Sequence, residues 1–252
     1  MKLYCRQMGK GEPVIILHGI FGMSDNWLSI AKKLSTMHRC YLLDLRNHGR
    51  SPHSQNLNYD DMVEDIYEFL TDFGLRTVSF IGHSMGGIVA MKFALEYSHR
   101  VEKLVVVDIA PKPYPSVHQN IVKGLKAIPV EKIKFRKEAG EILKRYVPSQ
   151  KIRQFLLKNL YRKDDNTYAW RLNLDAIDDF IFNIDPGISQ NLIFNKPTLF
   201  IRGGNSDYIL PEDEQLISKI FSDVRIIKIP DASHWVHHEK PDEVIKILTN
   251  FL

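Results

Sequence analysis

The sequence predicts an α/β protein with a mostly parallel central sheet flanked by helices. Short apolar runs bounded by Gly, Asn, Asp or Pro alternate with segments whose apolar residues recur at helical spacing. This alternation is typical of parallel strands joined by crossover helices. The chain has 252 residues, 44% of them apolar, so it can bury one large core and is expected to form one domain with an insertion.

The strands are predicted from the short apolar runs. An antiparallel strand is expected first, over residues 2–7. Further strands are predicted at residues 14–18, 40–44, 78–82, 104–108, 198–202 and 225–229. Helices are predicted at residues 26–35, 59–73, 85–97, 212–221 and 241–252.

The stretch between Pro111 and Pro197 lacks strand-like runs and contains amphipathic segments instead, among them residues 130–146 and 152–160. In an open α/β sheet, ligands bind outside the carboxyl ends of the strands, so an insertion that leaves from this edge is expected to cover the pocket. We therefore predict a core domain of residues 1–112 and 194–252 and a helical cap of residues 113–193. Five aromatic residues of the cap are candidates to line an acyl pocket, with packing in the core of the cap as the alternative: Tyr114, Phe155, Tyr161, Trp170 and Phe180.

The net charge of +4 is unevenly distributed along the chain. Residues 112–163 contain 14 Lys and Arg against three Glu, an excess of +11, which leaves −7 for the rest of the chain. This basic stretch is expected either to face an anionic ligand or to form the solvated side of amphipathic helices.

The composition also bears on location and partners. The first ten residues contain no long apolar segment, and no apolar run approaches the roughly 18 residues of a membrane span. A cytoplasmic protein without stable membrane insertion is therefore expected. Cys5 and Cys40 lie in separate strand-like segments and are expected to be buried free thiols. The sequence contains no nucleic-acid-binding motif, so a small-molecule partner is expected.

A candidate nucleophile lies in the pentapeptide Gly82-His83-Ser84-Met85-Gly86. It joins a predicted strand to a predicted helix, which is the context that a Gly-x-Ser-x-Gly nucleophile turn requires. The turn crowds the residues on both sides of the serine, so glycine is needed at positions 82 and 86. The helix that begins behind Ser84 directs free amide N–H groups toward a developing oxyanion.

Two backbone amides are predicted to form the oxyanion hole. One is the amide of Met85, directly after the serine. The other is the amide of Ile20, in the turn His18-Gly19-Ile20-Phe21-Gly22 that follows the strand at residues 14–18. An ordinary tight turn is the alternative for the second segment.

His234 is the best candidate among ten histidines for the base that activates Ser84, because it follows the last predicted strand and precedes the terminal helix. Two aspartates qualify as the acid that orients its imidazole. Asp207 follows the penultimate strand, and Asp108 ends the strand before the insertion. Spacing does not decide between them. Three neighbours of these motifs, Phe21, His83 and Trp235, are predicted to contact the substrate.

These motifs together resemble the YbfF-type bacterial esterases of the α/β-hydrolase family. The resemblance also runs through Asp44-Leu45-Arg46-Asn47-His48-Gly49-Arg50-Ser51-Pro52-His53, Asp108-Ile109-Ala110-Pro111, Gly203-Gly204-Asn205-Ser206 and His234-Trp235-Val236-His237. It covers nearly the whole chain except the predicted cap.

The resemblance implies an α/β-hydrolase fold and a carboxylesterase that acts on small or acyl-chain esters, with acyl-CoA thioesters as further ligands. It favours Asp108 as the acid, because members of the group can lack an aspartate where Asp207 stands. It also implies that the loop containing Arg46, His48, Arg50 and Ser51 chiefly braces the fold. The mechanism requires no metal or organic cofactor. A monomer or a homodimer is expected.

Other functions remain open on the same residues. A carbon–carbon bond hydrolase and a cofactor-free perhydrolase use the same triad. A ligand-binding protein that keeps the fold without catalysis is the alternative of a different class. Haloalkane dehalogenases and epoxide hydrolases are disfavoured, because both need a carboxylate where Ser84 stands.

Overall fold

The computed structural model describes residues 1–115, 118–182, 187–189 and 191–252. Its main feature is a seven-stranded sheet in the order β1–β3–β2–β4–β5–β8–β9. These strands are β1 (Cys5–Met8), β2 (Glu12–Leu17), β3 (His38–Leu43), β4 (Val78–His83), β5 (Val101–Val107), β8 (Thr198–Gly203) and β9 (Val224–Ile229). β1 runs antiparallel to β3, and the other neighbouring strands of this sheet are parallel. The predicted α/β class and the antiparallel first strand are confirmed.

The inner strands are buried on both faces, which explains why they read as continuous apolar runs. In β2, Ile15 and Leu17 belong to the core on one face of the sheet, whereas Val14 and Ile16 belong to the core on the other. β5 divides in the same way, with Leu104 on the first face. The sheet therefore separates two apolar layers.

Helices cover both of these layers. Their bounds are α1 (Leu28–Leu34), α2 (Tyr59–Asp72), α3 (Met85–Glu96), α4 (Gln119–Lys126), α5 (Arg136–Leu143), α6 (Gln150–Leu157), α7 (Leu174–Phe182), α8 (Asp213–Ile220), α9 (Val236–Glu239) and α10 (Pro241–Phe251). α1, α9 and α10 supply residues to one core, and α2, α3 and α8 supply residues to the other. No helix in the described part of the chain is long and apolar enough to cross a membrane.

The segment between β5 and β8, which we call the insertion, contains α4–α7 and a small antiparallel hairpin. Its strands are β6 (Leu160–Arg162) and β7 (Tyr168–Trp170). The hairpin was not expected, and the helix predicted at residues 130–146 is shorter than predicted. Glu138 accepts hydrogen bonds from the amides of Lys134 and Phe135 at 3.1 and 2.9 Å, which caps α5 at residue 136. Parts of the predicted cap, at residues 116–117, 183–186 and 190, lie outside the described residues.

The insertion is fastened to the loops at the carboxyl ends of the sheet strands. The Asn159 side-chain amide donates a hydrogen bond to the Phe21 carbonyl at 2.8 Å. The Asn173 backbone amide donates to the Asn47 carbonyl at 3.0 Å. Phe155 packs against Trp235 with ring centroids 4.3 Å apart. These contacts hold the insertion above the edge of the sheet where the predicted site residues lie.

Candidate active site

Ser84 occupies a strained turn between β4 and α3. Its backbone has φ 52° and ψ −121°, a conformation that non-glycine residues rarely adopt. A Cβ atom on Gly82 would lie 2.3 Å from the Gly86 carbonyl oxygen, and one on Gly86 would lie 2.6 Å from the His18 carbonyl oxygen. Glycine is therefore required on both sides of the serine, as the motif predicted.

Two cavities meet at Ser84. The larger holds about 300 Å³ and is lined by Ile20, Tyr59, Ser84, Met85, Ile88, Ile109, Tyr114, Pro115, His118, Phe180, Asp207 and Tyr208. The smaller holds about 30 Å³, and its lining includes Phe21, His83, Ser84, His118, Phe155, His234 and Trp235. The structure thus brings Ser84 and His234 together on the wall of one cavity.

Asp108 and His234 are hydrogen-bonded to each other. The Asp108 carboxylate oxygen Oδ2 lies 2.8 Å from His234 Nδ1. Because an ionised carboxylate only accepts hydrogen bonds, this contact places the imidazole proton on Nδ1 and leaves Nε2 free as an acceptor. Asp108 is fully buried and also accepts hydrogen bonds from the Gly203 amide at 2.8 Å and from the Ser206 hydroxyl. These bonds fix the carboxylate against the imidazole.

Asp207 lies in a different position from Asp108. Its side chain is exposed and lines the larger cavity. Within the described part of the chain, no hydrogen bond or ion pair joins Asp207 to His234. The two candidate acids therefore lie on the same edge of the sheet, but only Asp108 touches the imidazole.

The two predicted oxyanion donors flank Ser84. Gly19 to Gly22 form a turn closed by a 2.9 Å hydrogen bond from the Gly22 amide to the Gly19 carbonyl. Phe21 has φ 61° in this turn, and Ile20 lines both cavities. No hydrogen bond from the Ile20 amide to another described residue is present, and Met85 is the first residue of α3, whose amide has no partner within the helix, so both amides are available to a ligand.

His83, predicted to contact the substrate, is hydrogen-bonded to the backbone of His234. Its Nε2–H donates a hydrogen bond to the His234 carbonyl at 2.9 Å. Burial lowers the pKa of His83 well below its usual range, and the neighbouring His237 and His234 add to this effect. His83 is therefore neutral and holds the loop that carries His234. A Cβ atom on Gly19 would come within 2.8 Å of His83 Nδ1, which leaves room only for glycine there.

Phe21 and Trp235, the other two predicted substrate contacts, both line the smaller cavity. Phe21 is buried, and its ring packs edge-on against His118 at 5.9 Å. Among the aromatic residues predicted for an acyl pocket, Tyr114 and Phe180 line the larger cavity and Phe155 lines the smaller. Tyr161 lies elsewhere, under Arg171 at 4.7 Å, and Trp170 packs against the core.

The arginine-containing loop braces the fold. Arg46 makes two hydrogen bonds to the buried Asp65, at 2.6 and 2.8 Å. The buried Asp44 carboxylate accepts hydrogen bonds from the Ser24 and Arg50 amides at 2.6 and 2.8 Å. The Ser51 hydroxyl donates to the Asp44 carbonyl. These contacts agree with the structural role that the resemblance implied.

Three residues of the site have roles that were not predicted from the sequence. Tyr208 stacks on His234 with ring centroids 3.7 Å apart. Ser206 bonds Asp108, and His118 lines both cavities. Ser206 and Tyr208 flank Asp207, so the sequence pointed to this loop but not to these two residues.

Tyr114 also has a role beyond the predicted acyl pocket. Its hydroxyl accepts a hydrogen bond from the Ala110 amide at 2.7 Å and donates one to the Tyr208 carbonyl at 2.6 Å. The first residues of the insertion are thereby tied to the loop that follows β8.

Comparison with known proteins places this geometry in a family. Residues 12–241 match the family model for the alpha/beta hydrolase fold. The sn-1-specific diacylglycerol lipase ABHD11 of Danio rerio is 40% identical over 255 residues, covering 97% of this chain and 80% of that protein. Esterase YbfF of Escherichia coli is 34% identical, covering 96% of this chain and 93% of that protein, which confirms the resemblance.

A solved structure agrees with the sequence relatives. A marine microorganism esterase superposes with a TM-score of 0.96 at 43% identity, covering 100% of this chain and 99% of that chain. The chain therefore belongs to the α/β-hydrolase family.

Proposed function

We propose that the chain is a serine esterase that cleaves small or acyl-chain carboxylic esters through Ser84, His234 and Asp108. One observation carries the proposal: a buried carboxylate orients an imidazole that shares a cavity with a serine in a strained strand-to-helix turn. The relatives named esterase and diacylglycerol lipase support the same reaction class.

The reaction proceeds by two acyl transfers. Ser84 Oγ attacks the ester carbonyl while His234 Nε2 takes its proton. The amides of Ile20 and Met85 stabilise the oxyanion of the tetrahedral intermediate. His234 then returns the proton to the alcohol leaving group, and water repeats the sequence on the acyl-enzyme. Because water is the second acceptor, the products are a carboxylic acid and an alcohol.

Asp108 is the acid of this triad. Its three hydrogen-bond donors and its complete burial support the role, because a rigid carboxylate fixes the tautomer that His234 needs. Asp207 is exposed and lacks contact with the imidazole, so it takes no part in proton transfer.

The insertion acts as a cap that supplies the acyl pocket. The lining of the larger cavity includes Tyr114, His118 and Phe180 of the insertion together with Ile88 and Ile109 of the core. A cavity with this apolar lining suits an alkyl or aryl acyl group.

The same mechanism extends to acyl-CoA thioesters, whose phosphates the basic residues of the cap attract. Salt screens this attraction, since the Debye length falls from about 10 Å at 0.1 M to about 3 Å at 1 M. Added salt should therefore reduce kcat/KM for an acyl-CoA more than for p-nitrophenyl butyrate. Equal salt dependence of kcat/KM for the two substrates would show that the basic residues of the cap do not attract the acyl-CoA.

The decisive experiment replaces the nucleophile. Ser84→Ala should abolish hydrolysis of p-nitrophenyl butyrate and labelling by a fluorophosphonate probe while the circular dichroism spectrum stays unchanged. Ser222→Ala, at an exposed serine after α8, is the matched control and should keep both activities. Retained hydrolysis in Ser84→Ala would refute the assignment. Absence of probe labelling in the wild-type protein would instead favour a ligand-binding protein without catalysis.

A further inference from the structure

Asp207 is the charged member of an otherwise uncharged cavity lining. Burial lowers the pKa of His118 to about 4, so its imidazole is neutral at pH 7. Burial likewise raises the pKa values of Tyr59, Tyr114 and Tyr208 above their usual range, so these phenols also stay neutral. Among the described lining residues of the larger cavity, Asp207 is therefore the source of formal charge at neutral pH.

No cation within the described residues neutralises this carboxylate. Asp207 takes part in no hydrogen bond or ion pair with any of them, and its side chain is exposed. Basic side chains around the same loop have other partners. Lys112 pairs with Asp213 at 2.5 Å, and Arg202 pairs with Glu214 at 3.8 Å. A ligand in the cavity thus meets an uncompensated negative charge.

We propose that Asp207 selects substrates by the charge of the acyl group, favouring acyl groups that carry a cation and disfavouring those that carry a carboxylate. This inference rests on the proposed esterase function, with Asp108 as the triad acid. It assigns Asp207 to specificity, which explains how the chain accommodates both aspartates at one edge of the sheet.

The size of the effect follows from the cavity. Treated as a sphere, a cavity of 300 Å³ has a diameter of about 8 Å, and we take this length as the separation between Asp207 and a charge on the bound acyl group. Coulomb's law at that distance gives about a twofold effect on kcat/KM in water and about a thirtyfold effect at the effective dielectric constant of a protein surface. Exposure of Asp207 places the expected effect between these limits.

Isosteric substrates isolate the charge. The p-nitrophenyl esters of 4-(trimethylammonio)butyrate and 5,5-dimethylhexanoate differ by one quaternary nitrogen in place of carbon. The glutarate monoester supplies the anionic case. The measured quantity is the kcat/KM of each charged ester divided by that of the neutral ester, because this ratio cancels general effects on the active site.

Asp207→Asn should lower the ratio for the cationic ester and raise the ratio for the anionic ester, each by about two- to thirtyfold, and Asp207→Lys should extend both changes. The matched control is Asp223→Asn, which removes the same charge just before β9, at the opposite end of the strands. It should leave both ratios unchanged. Circular dichroism verifies the fold of each variant.

The outcomes separate the two proposals. Ratios that stay constant across the wild-type protein, Asp207→Asn and Asp207→Lys, when all three hydrolyse the neutral ester, would overturn the charge selection alone. A wild-type protein that hydrolyses none of the three esters would overturn the esterase proposal. Equal changes in Asp207→Asn and Asp223→Asn would show a general charge effect and would also refute the role of Asp207.

Discussion

Replacing Asp108 by Asn tests the triad most directly, because the structure dictates how the new amide must turn. The Gly203 amide can only donate, and it lies 2.8 Å from Asp108 Oδ1. The asparagine oxygen must therefore face Gly203, since the reverse orientation would leave a buried donor unsatisfied at a cost of about 1–3 kcal/mol. The asparagine NH₂ group then faces His234 Nδ1, where the carboxylate oxygen lay at 2.8 Å.

This orientation reverses the tautomer of the base. Facing a donor, His234 Nδ1 becomes an acceptor and its proton moves to Nε2, the atom that must take the proton of Ser84. Loss of the correct tautomer lowers kcat by about 10⁴, equivalent to about 5.4 kcal/mol of transition-state stabilisation.

The assay is kcat with p-nitrophenyl butyrate, and urea unfolding verifies that the variant is folded. Asp207→Asn is the comparison and should change kcat for this neutral ester by less than about tenfold. An Asp108→Asn enzyme within tenfold of the wild type would refute the reasoning. A decrease in kcat of about 10³ or more in Asp207→Asn would also refute it, because either result would show that Asp108 is not the acid that orients His234.

Two further predictions concern stability. Burial lowers the pKa of His237 to about 3. Between pH 6.5 and 3 the unfolded chain therefore binds a proton that the folded chain excludes. This group lowers the free energy of unfolding by about 1.4 kcal/mol for each unit by which the pH falls. His237→Phe keeps the flat stack on Trp27, 4.4 Å away, and should remove the contribution of His237 to the loss of unfolding free energy between pH 6.5 and 5. The control His238→Gln, at an exposed histidine, should leave that loss unchanged. Equal dependence of the unfolding free energy on pH in the two variants, measured by urea unfolding, would contradict the prediction. Gly86→Ala should lower the free energy of unfolding by about 3 kcal/mol or prevent folding, because its Cβ would meet the His18 carbonyl oxygen at 2.6 Å. Gly140→Ala in α5, whose Cβ would have its nearest neighbour at 3.7 Å, should stabilise the protein by up to about 1 kcal/mol. Similar unfolding free energies for the two variants would contradict the crowding argument.

The sheet was predictable because its strands are buried on both faces. β2 was predicted at residues 14–18 and lies at Glu12–Leu17, and β8 was predicted at 198–202 and lies at Thr198–Gly203. Within the insertion the same reasoning failed, since β6 and β7 have three residues each and pair mainly with each other. Such short strands carry too few residues to display a period.

The candidate site was predictable where its parts are local in sequence. Ser84 and its glycines form one turn, and their constraint can be read from five residues. The environment of Asp108 is not local: its partners Gly203, Ser206 and His234 lie 95, 98 and 126 residues away. Sequence spacing places both aspartates at one edge of the sheet. The direction of each side chain depends on backbone angles, which spacing does not predict.

Those backbone angles distinguish a functional edge from an ordinary set of turns. Phe21, Ser84 and Asp108 follow β2, β4 and β5, and all three have positive φ, at 61°, 52° and 54°. Aspartate tolerates this region, so Asp108 alone would mean little. Phenylalanine and serine do not favour it, and the ψ of −121° removes Ser84 even from the left-handed helical region. Each such residue costs about 1–3 kcal/mol, which a glycine would avoid. The Asp108 carboxylate is hydrogen-bonded to the imidazole of His234, and Ser84 lines the same cavity as that imidazole, so the strained backbone lies at the residues of the proposed triad.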